Sequence, residues 1–230
     1  MKHYYIVLYN LNMENIKDKN IILFDLDGTI TDSYPAITTS FLYAIKDYDV
    51  TLTDDELSSV IGPPLKESFM RLVGADPFEA WDLTLKYREF YNTGGMYNCK
   101  VYEGIEDCLK ALKGAGKCLA IATSKPEPQS VEILKHFDLL KYFEFVAADD
   151  NNYSRPTKEE VIEYALELLN HPNVKDIAMV GDRKYDIVGA KSLGISGIGV
   201  TFGFGSTKEL KDAGADYIVN SAKELKELLI

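Results

Sequence analysis

Apolar and polar positions follow three successive rhythms along this chain. Residues 21–24, Ile-Ile-Leu-Phe, form an unbroken apolar run of the length of a short buried strand. Over residues 34–98 the spacing becomes helical. Ile37, Phe41, Ala44 and Ile45 recur on one helix face. Thr53-Asp54-Asp55-Glu56 is a capping box that opens a second helix, and Ile61-Gly62-Pro63-Pro64 must break it. Leu65, Phe69, Leu72 and Val73 resume the period. Residues 78–91 form one more amphipathic segment, with Trp81, Leu85 and positions 87–90 expected inward, and Thr93-Gly94-Gly95 ends it. No strand-like alternation stands out here, which predicts an all-helical insert.

From Val101 onward strands alternate with helices. Strands are expected at 118–122, 143–147, 177–180, 197–200 and 216–219. Helices are expected at 104–112, 131–137, 158–169 and 187–193, and from Ser206 onward; the third opens with the capping box Thr157-Lys158-Glu159-Glu160. The alternation predicts an α/β fold, a doubly wound parallel sheet with helices on both faces. Residues 1–33 and 99–230 then form the α/β core, and residues 34–98 an inserted all-helical cap domain. Residues 4–9 read either as an added edge strand or as an extension ahead of a start near Met13, and no function attaches to residues 1–19. In such a sheet, ligands gather at the carboxyl ends of the strands.

Three of those expected ends, and the start of one expected helix, carry polar groups. Asp25 and Asp27 follow the first strand at a spacing of two, which puts both on one side of an extended backbone. Like charges so placed repel unless a cation sits near them, and Mg2+ suits oxygen ligands of this kind. Gly28 permits a sharp turn and frees neighbouring N–H groups for an anion. Thr123 and Ser124 follow the 118–122 strand, where a hydroxyl and free N–H groups could hold a phosphate oxygen. Lys158 stands in a first helical turn, which disfavours a cation. Asp182 and Asp186 follow Gly181 after the 177–180 strand, well placed to complete a metal site. Each of these, alone, is also an ordinary strand-end turn, helix cap or surface lysine. Their order along one chain is what makes the set specific.

Bulk properties change the picture little. A net charge of −11 disfavours nucleic acid and anionic membrane as partners, and the insert, with ten acidic and five basic residues, is no anion trap. Cys99, Cys108 and Cys118 lack paired metal spacing and fit reduced thiols; His3, His136 and His171 form no cluster. No apolar run reaches membrane or signal-peptide length, so a cytoplasmic setting is expected.

Asp25-Leu26-Asp27-Gly28-Thr29, then Thr123-Ser124-Lys125, Lys158 and Gly181-Asp182-x-x-x-Asp186, resemble the four motifs of the haloacid dehalogenase superfamily from about residue 20 to the end. Ile61-Gly62-Pro63-Pro64-Leu65 and Gly203-Phe204-Gly205-Ser206 resemble its phosphoglycolate phosphatase-like branch. One departure is Asp150-Asn151-Asn152, which lacks a glycine often found before the Arg-x-x-Lys of that branch, here Arg155 to Lys158. The resemblance implies a Rossmann-like core and a Mg2+-dependent phosphatase of small phosphorylated metabolites. Phosphoglycolate and nucleoside monophosphates are the leading substrates. It implies that Asp25 attacks phosphorus to form an aspartyl-phosphate and that Asp27 protonates the leaving oxygen, then activates water. Gly28, Thr123, Ser124 and Lys158 would hold the phosphoryl group; Asp25, the Asp27 carbonyl, Asp182 and Asp186 would hold the metal. Lys66 and Arg71 are candidate substrate contacts from the insert. The alternatives are a sugar-phosphate mutase like β-phosphoglucomutase and a binding module phosphorylated without turnover. The insert lacks the Arg-Gly pattern of those mutases, and Asp27 stands where ion-pumping relatives with a persistent aspartyl-phosphate carry Thr.

Overall fold

The computed structural model describes residues 15–150, 152 and 154–230. The possible edge strand at residues 4–9 lies outside them. The first apolar run forms β1 (Ile21–Phe24), the inner strand on which the rest assembles. It pairs in parallel with β4 (Cys118–Pro126) on one side and β6 (Ile177–Gly181) on the other. Further out lie β5 (Val146–Asp149), β7 (Ser196–Val200) and β8 (Tyr217–Val219), giving the order β5-β4-β1-β6-β7-β8. The chain leaves β1 for one flank and returns to the other, so a crevice opens at the carboxyl end of β1, between its two neighbours.

Side-chain alternation explains why both faces of this sheet are covered. Ile22 and Phe24 pack with Leu109 and Leu112 of α5 (Ile105–Gly114) and with Leu225 and Leu229 of α10 (Ala222–Leu229). Leu23 points the other way, into Val161, Ile162 and Ala165 of α7 (Lys158–Leu168) and Ala190 of α8 (Lys184–Ser192). All three strand residues are fully buried, each worth roughly 1.5–3 kcal/mol of apolar transfer.

Residues 34–98 are helical, as the period predicts. They hold α1 (Tyr34–Ala44), α2 (Asp54–Ser58), α3 (Leu65–Val73) and α4 (Pro77–Asn92), with their own buried cluster around Phe41, Phe69 and Leu83. Phe41 and Phe69 stack with ring centroids 4.3 Å apart. The capping box expected at Thr53 forms, and Asp76 makes a second one at the start of α4. Two short strands, β2 (Thr31–Asp32) and β3 (Lys100–Val101), pair antiparallel where the chain leaves the sheet and returns to it. They tie the two crossings together, and their length puts them below what periodicity can detect.

Three local expectations need correction. On α4 the inward face is Ala80, Leu83, Thr84, Tyr87 and Tyr91, whereas Trp81 is 39% and Leu85 46% exposed. Small residues at positions 80 and 84 allow close helix contact, and Thr84 satisfies its hydroxyl on the Ala80 carbonyl at 2.8 Å; the larger apolar side chains are left outside. The strand expected at 143–147 begins later, at Val146, because residues 140–142 wind into a 3-10 turn. The strand expected at 118–122 runs on to Pro126, with a register shift between Thr123 and Pro126. Among the described residues no helix is long and apolar enough to cross a membrane.

Candidate active site

Parallel pairing brings the ends of β1, β4 and β6 to one level, and the chemically distinctive residues meet there. Asp25 directly follows β1 and is anchored by its N–H donating to the Val180 carbonyl at 2.9 Å. Lys158 starts α7, after the Thr157 cap, and is 7% exposed. Its ammonium donates to Asp25 Oδ1 at 2.7 Å and to the Ala122 carbonyl at 3.1 Å, and pairs with Asp186 Oδ1 at 2.8 Å. Three N–H groups thus find three acceptors. This answers the unfavourable helix-end position: two carboxylates outweigh the dipole.

The Asp150 loop, which lacks the expected glycine, closes by another device. Asp150 Oδ1 accepts from the N–H groups of Asn152 and Ser154 at 2.8 and 3.1 Å. A side-chain turn of this kind substitutes for a glycine turn, and Lys158 still reaches Asp25.

Asp182 follows β6 and is fully buried. Its Oδ2 accepts from the Phe204 N–H at 2.7 Å, and Thr29 Oγ1 donates to Oδ1 at 3.5 Å. Gly28 has φ +88°, and a Cβ there would sit 2.3 Å from Asp182 Oδ2. Glycine therefore serves close approach to Asp182 as well as the turn. Asp186, in the first turn of α8, accepts from the Arg183 N–H at 3.0 Å.

Asp25, Asp182 and Asp186 each offer a carboxylate oxygen within 4.8 Å of the other two. With Lys158 as the cation inside the cluster, two negative charges are left uncompensated when all three acids ionise. Burial pushes the Asp25 carboxyl up to about 6; Lys158 pulls it down and Asp186 pushes it up. Burial, then Asp186 and Asp25, hold Asp182 well above the carboxylate range. Burial works against the Lys158 charge, but Asp186 and Asp25 outweigh it and raise its pKa. A compact, buried, oxygen-only set with excess negative charge fits a hard divalent cation.

Asp27, expected among the metal ligands through its carbonyl, lies outside this carboxylate cluster and its side chain turns elsewhere. Oδ2 pairs with Lys125 Nζ at 2.8 Å, while Oδ1 is buried with no hydrogen-bond partner. Lys125 Nζ also sits 4.8 Å from the ring centroid of Tyr91, on α4 of the insert. Thr123 and Ser124 line the same cavity, of about 150 Å3, and the Lys125 N–H donates to Thr123 Oγ1 at 3.3 Å.

The insert forms the outer wall. Gly62, Pro63 and Pro64 line the cavity, as do Tyr87, Arg88 and Tyr91. Lys66 and Arg71 are absent from its wall; Arg71 is turned to Ser59, donating to its carbonyl at 3.2 Å and its hydroxyl at 2.9 Å. The insert's cation on the wall is Arg88. Two further bonds join insert to core: Gln129 Nε2 donates to Asn92 Oδ1 at 3.0 Å, and Arg183 donates to the Ile61 carbonyl. Sequence reading missed Lys125, Tyr91 and Arg183 as site groups. Lys125 was in view within Thr123-Ser124-Lys125-Pro126, but nothing local says that its side chain turns toward Asp27.

The profile of the haloacid dehalogenase-like hydrolase family matches residues 22–200. A 5'-nucleotidase from Pseudomonas aeruginosa is 39% identical over 191 residues, spanning 83% of this chain and 86% of that protein. The crystal structure of a predicted phosphatase from Clostridium acetobutylicum is 46% identical, with a TM-score of 0.86, covering 91% of this chain and 97% of its own. A haloacid dehalogenase-like hydrolase structure from Streptococcus pneumoniae is 27% identical, with a TM-score of 0.86 over 93% and 99%.

Proposed function

The chain belongs to the haloacid dehalogenase-like hydrolases and is a phosphatase, and from that premise we propose that it hydrolyses phosphate monoesters of small metabolites with Mg2+, through an aspartyl-phosphate on Asp25. The observation that carries the reading is Lys158 bridging Asp25 and Asp186 beside Asp182. An anionic nucleophile cannot approach an anionic phosphoryl group unless positive charge is fixed beside it. Asp25, Asp182 and Asp186 would hold Mg2+, which when bound supplies the remaining neutralising charge.

The chain's own groups account for the rest. Asp25 is held by its N–H on the Val180 carbonyl and by Lys158 on Oδ1, and it lines the cavity. Attack forms the Asp25–phosphorus bond and breaks the ester bond, the leaving oxygen taking a proton from the Asp27 carboxyl, which lines the cavity. Thr123, Ser124 and Lys158 hold the phosphoryl oxygens; the turn at Gly28, expected to free N–H groups for them, spends its own, Gly28 N–H donating to the Thr31 carbonyl at 2.8 Å and Thr29 N–H to the Leu26 carbonyl at 3.3 Å. Asp27 then removes a proton from water, which attacks the phosphorus, releases phosphate and restores Asp25. The insert closes the cavity against bulk water.

Nucleoside monophosphates and phosphoglycolate are the leading substrates. The name of the Pseudomonas relative supports the first and the branch-like sequence motifs the second. A Mg2+-supplemented panel of phosphorylated metabolites ranks them by released phosphate. Asp25→Asn is expected to abolish release from every one, and substantial residual turnover refutes Asp25 as nucleophile.

A further inference from the structure

We propose that Lys125 is a positioning residue for the Asp27 carboxylate, and that Tyr91 of the helical insert holds Lys125 in place, so that seating the insert aims the proton-transfer group. This rests on the reading of Asp27 given above. The contact has three unusual features. Lys125 buries its ammonium, 7% exposed at the side chain, against a single carboxylate oxygen. The other oxygen of that carboxylate is buried and unpartnered. The ammonium's second neighbour is an aromatic face that comes from a different part of the chain.

An Asp side chain turns freely about its last bond unless one oxygen is tied. Lys125 ties Oδ2 at 2.8 Å, and that single bond fixes the rotation of the whole carboxylate relative to the cavity that Asp27 lines. Lysine has a flexible four-carbon stem, so it fixes Asp27 only if it is fixed itself. Tyr91 supplies that restraint, through a cation–π contact strengthened by burial. Tyr91 is 4% exposed, and the neighbouring residue Asn92 is bonded to Gln129 of the core at 3.0 Å. The Lys125–Tyr91 contact therefore forms only when α4 lies against the core. Lys158 plays no part in it, being bonded to Asp25, Asp186 and the Ala122 carbonyl.

The test is the dependence of kcat/KM on the leaving group in a series of substituted phenyl phosphates with Mg2+. This quantity reports the step in which the leaving oxygen departs and excludes cleavage of the intermediate. A misaimed proton donor matters most for a basic leaving group and least for 4-nitrophenolate. For Lys125→Met, unsubstituted phenyl phosphate is expected to lose about 30- to 100-fold and 4-nitrophenyl phosphate about fivefold or less. Tyr91→Leu is expected to steepen the dependence in the same direction, Tyr91→Phe to recover most of that loss, and the Lys125→Met/Tyr91→Leu double variant to match Lys125→Met alone. Equal loss across the series overturns the proposal, as does a rise in KM with kcat intact, which marks a substrate-binding cation. Additive single effects overturn the role of Tyr91. Wild-type protein inactive on the whole series instead strikes the underlying phosphatase reading.

Discussion

Replacing Lys158 with methionine removes the one cation inside the acidic cluster while keeping most of its volume. Wild-type Lys158 lies 2.7 Å from Asp25 and 2.8 Å from Asp186, with all three side chains almost wholly buried. Removing one partner of such a group leaves uncompensated buried charge and costs about 3–5 kcal/mol. For a chain of this size each kcal/mol moves the melting temperature by about 2–4 °C, so metal-free protein at pH 8 should melt about 6–20 °C lower. The deficit should depend on pH. Asp25 has its pKa raised by burial to about 6 even with Lys158 present, and without Lys158 it rises further. As the pH falls from 8 toward 6, Asp25 of the variant takes up a proton before wild-type Asp25 does and the missing cation matters less; below 6 both carry the proton and the gap stops narrowing. Thermal melts in EDTA from pH 5 to 8 measure this, and Mg2+ should narrow the gap by supplying positive charge. A metal-free variant that melts within about 2 °C of wild type at pH 8, or a deficit equal at both ends of the range, refutes the reasoning.

Mg2+ binding should expel protons, because Asp25 and Asp182 titrate high in the free protein. Affinity should fall as the pH drops through about 6, and calorimetry in two buffers of different ionisation enthalpy should give different heats; identical heats would count against the acid assignments. By the same sign, the raised Asp25 pKa favours the metal-free fold below about pH 4, and that contribution is lost as the pH rises through 6. Gly28→Ala should lower both stability and Mg2+ affinity, since its Cβ would meet the Asp182 carboxylate. Gly74→Ala has a similar positive φ with nothing within 4 Å, so it should cost only backbone strain, about 1–2 kcal/mol, and spare activity; equal activity losses in the two variants would show that space around Asp182 is irrelevant. Incubation with glucose 1-phosphate should produce free phosphate, if it reacts at all; accumulation of an isomerised sugar phosphate would favour a mutase.

Asp25, Asp182, Asp186 and Lys158 were recognisable in the sequence because each follows a local signal: a strand end, a glycine or a helix cap. The parallel sheet was recognisable for a similar reason, since strand and helix periods are set by neighbours along the backbone. The helical insert followed from the same evidence. Which face of α4 turns inward did not, because hydrophobicity favours Trp81 and Leu85 whereas close helix contact selects Ala80 and Thr84. The closed Asp150 loop was also hidden, since its turn is made by a side chain rather than a glycine. Tertiary structure alone joins Lys125 to Asp27 and Tyr91, and Arg183 to Ile61. These partners belong to segments that meet only after the sheet and the insert have each buried their apolar faces, and no local pattern carries the distance or direction between them.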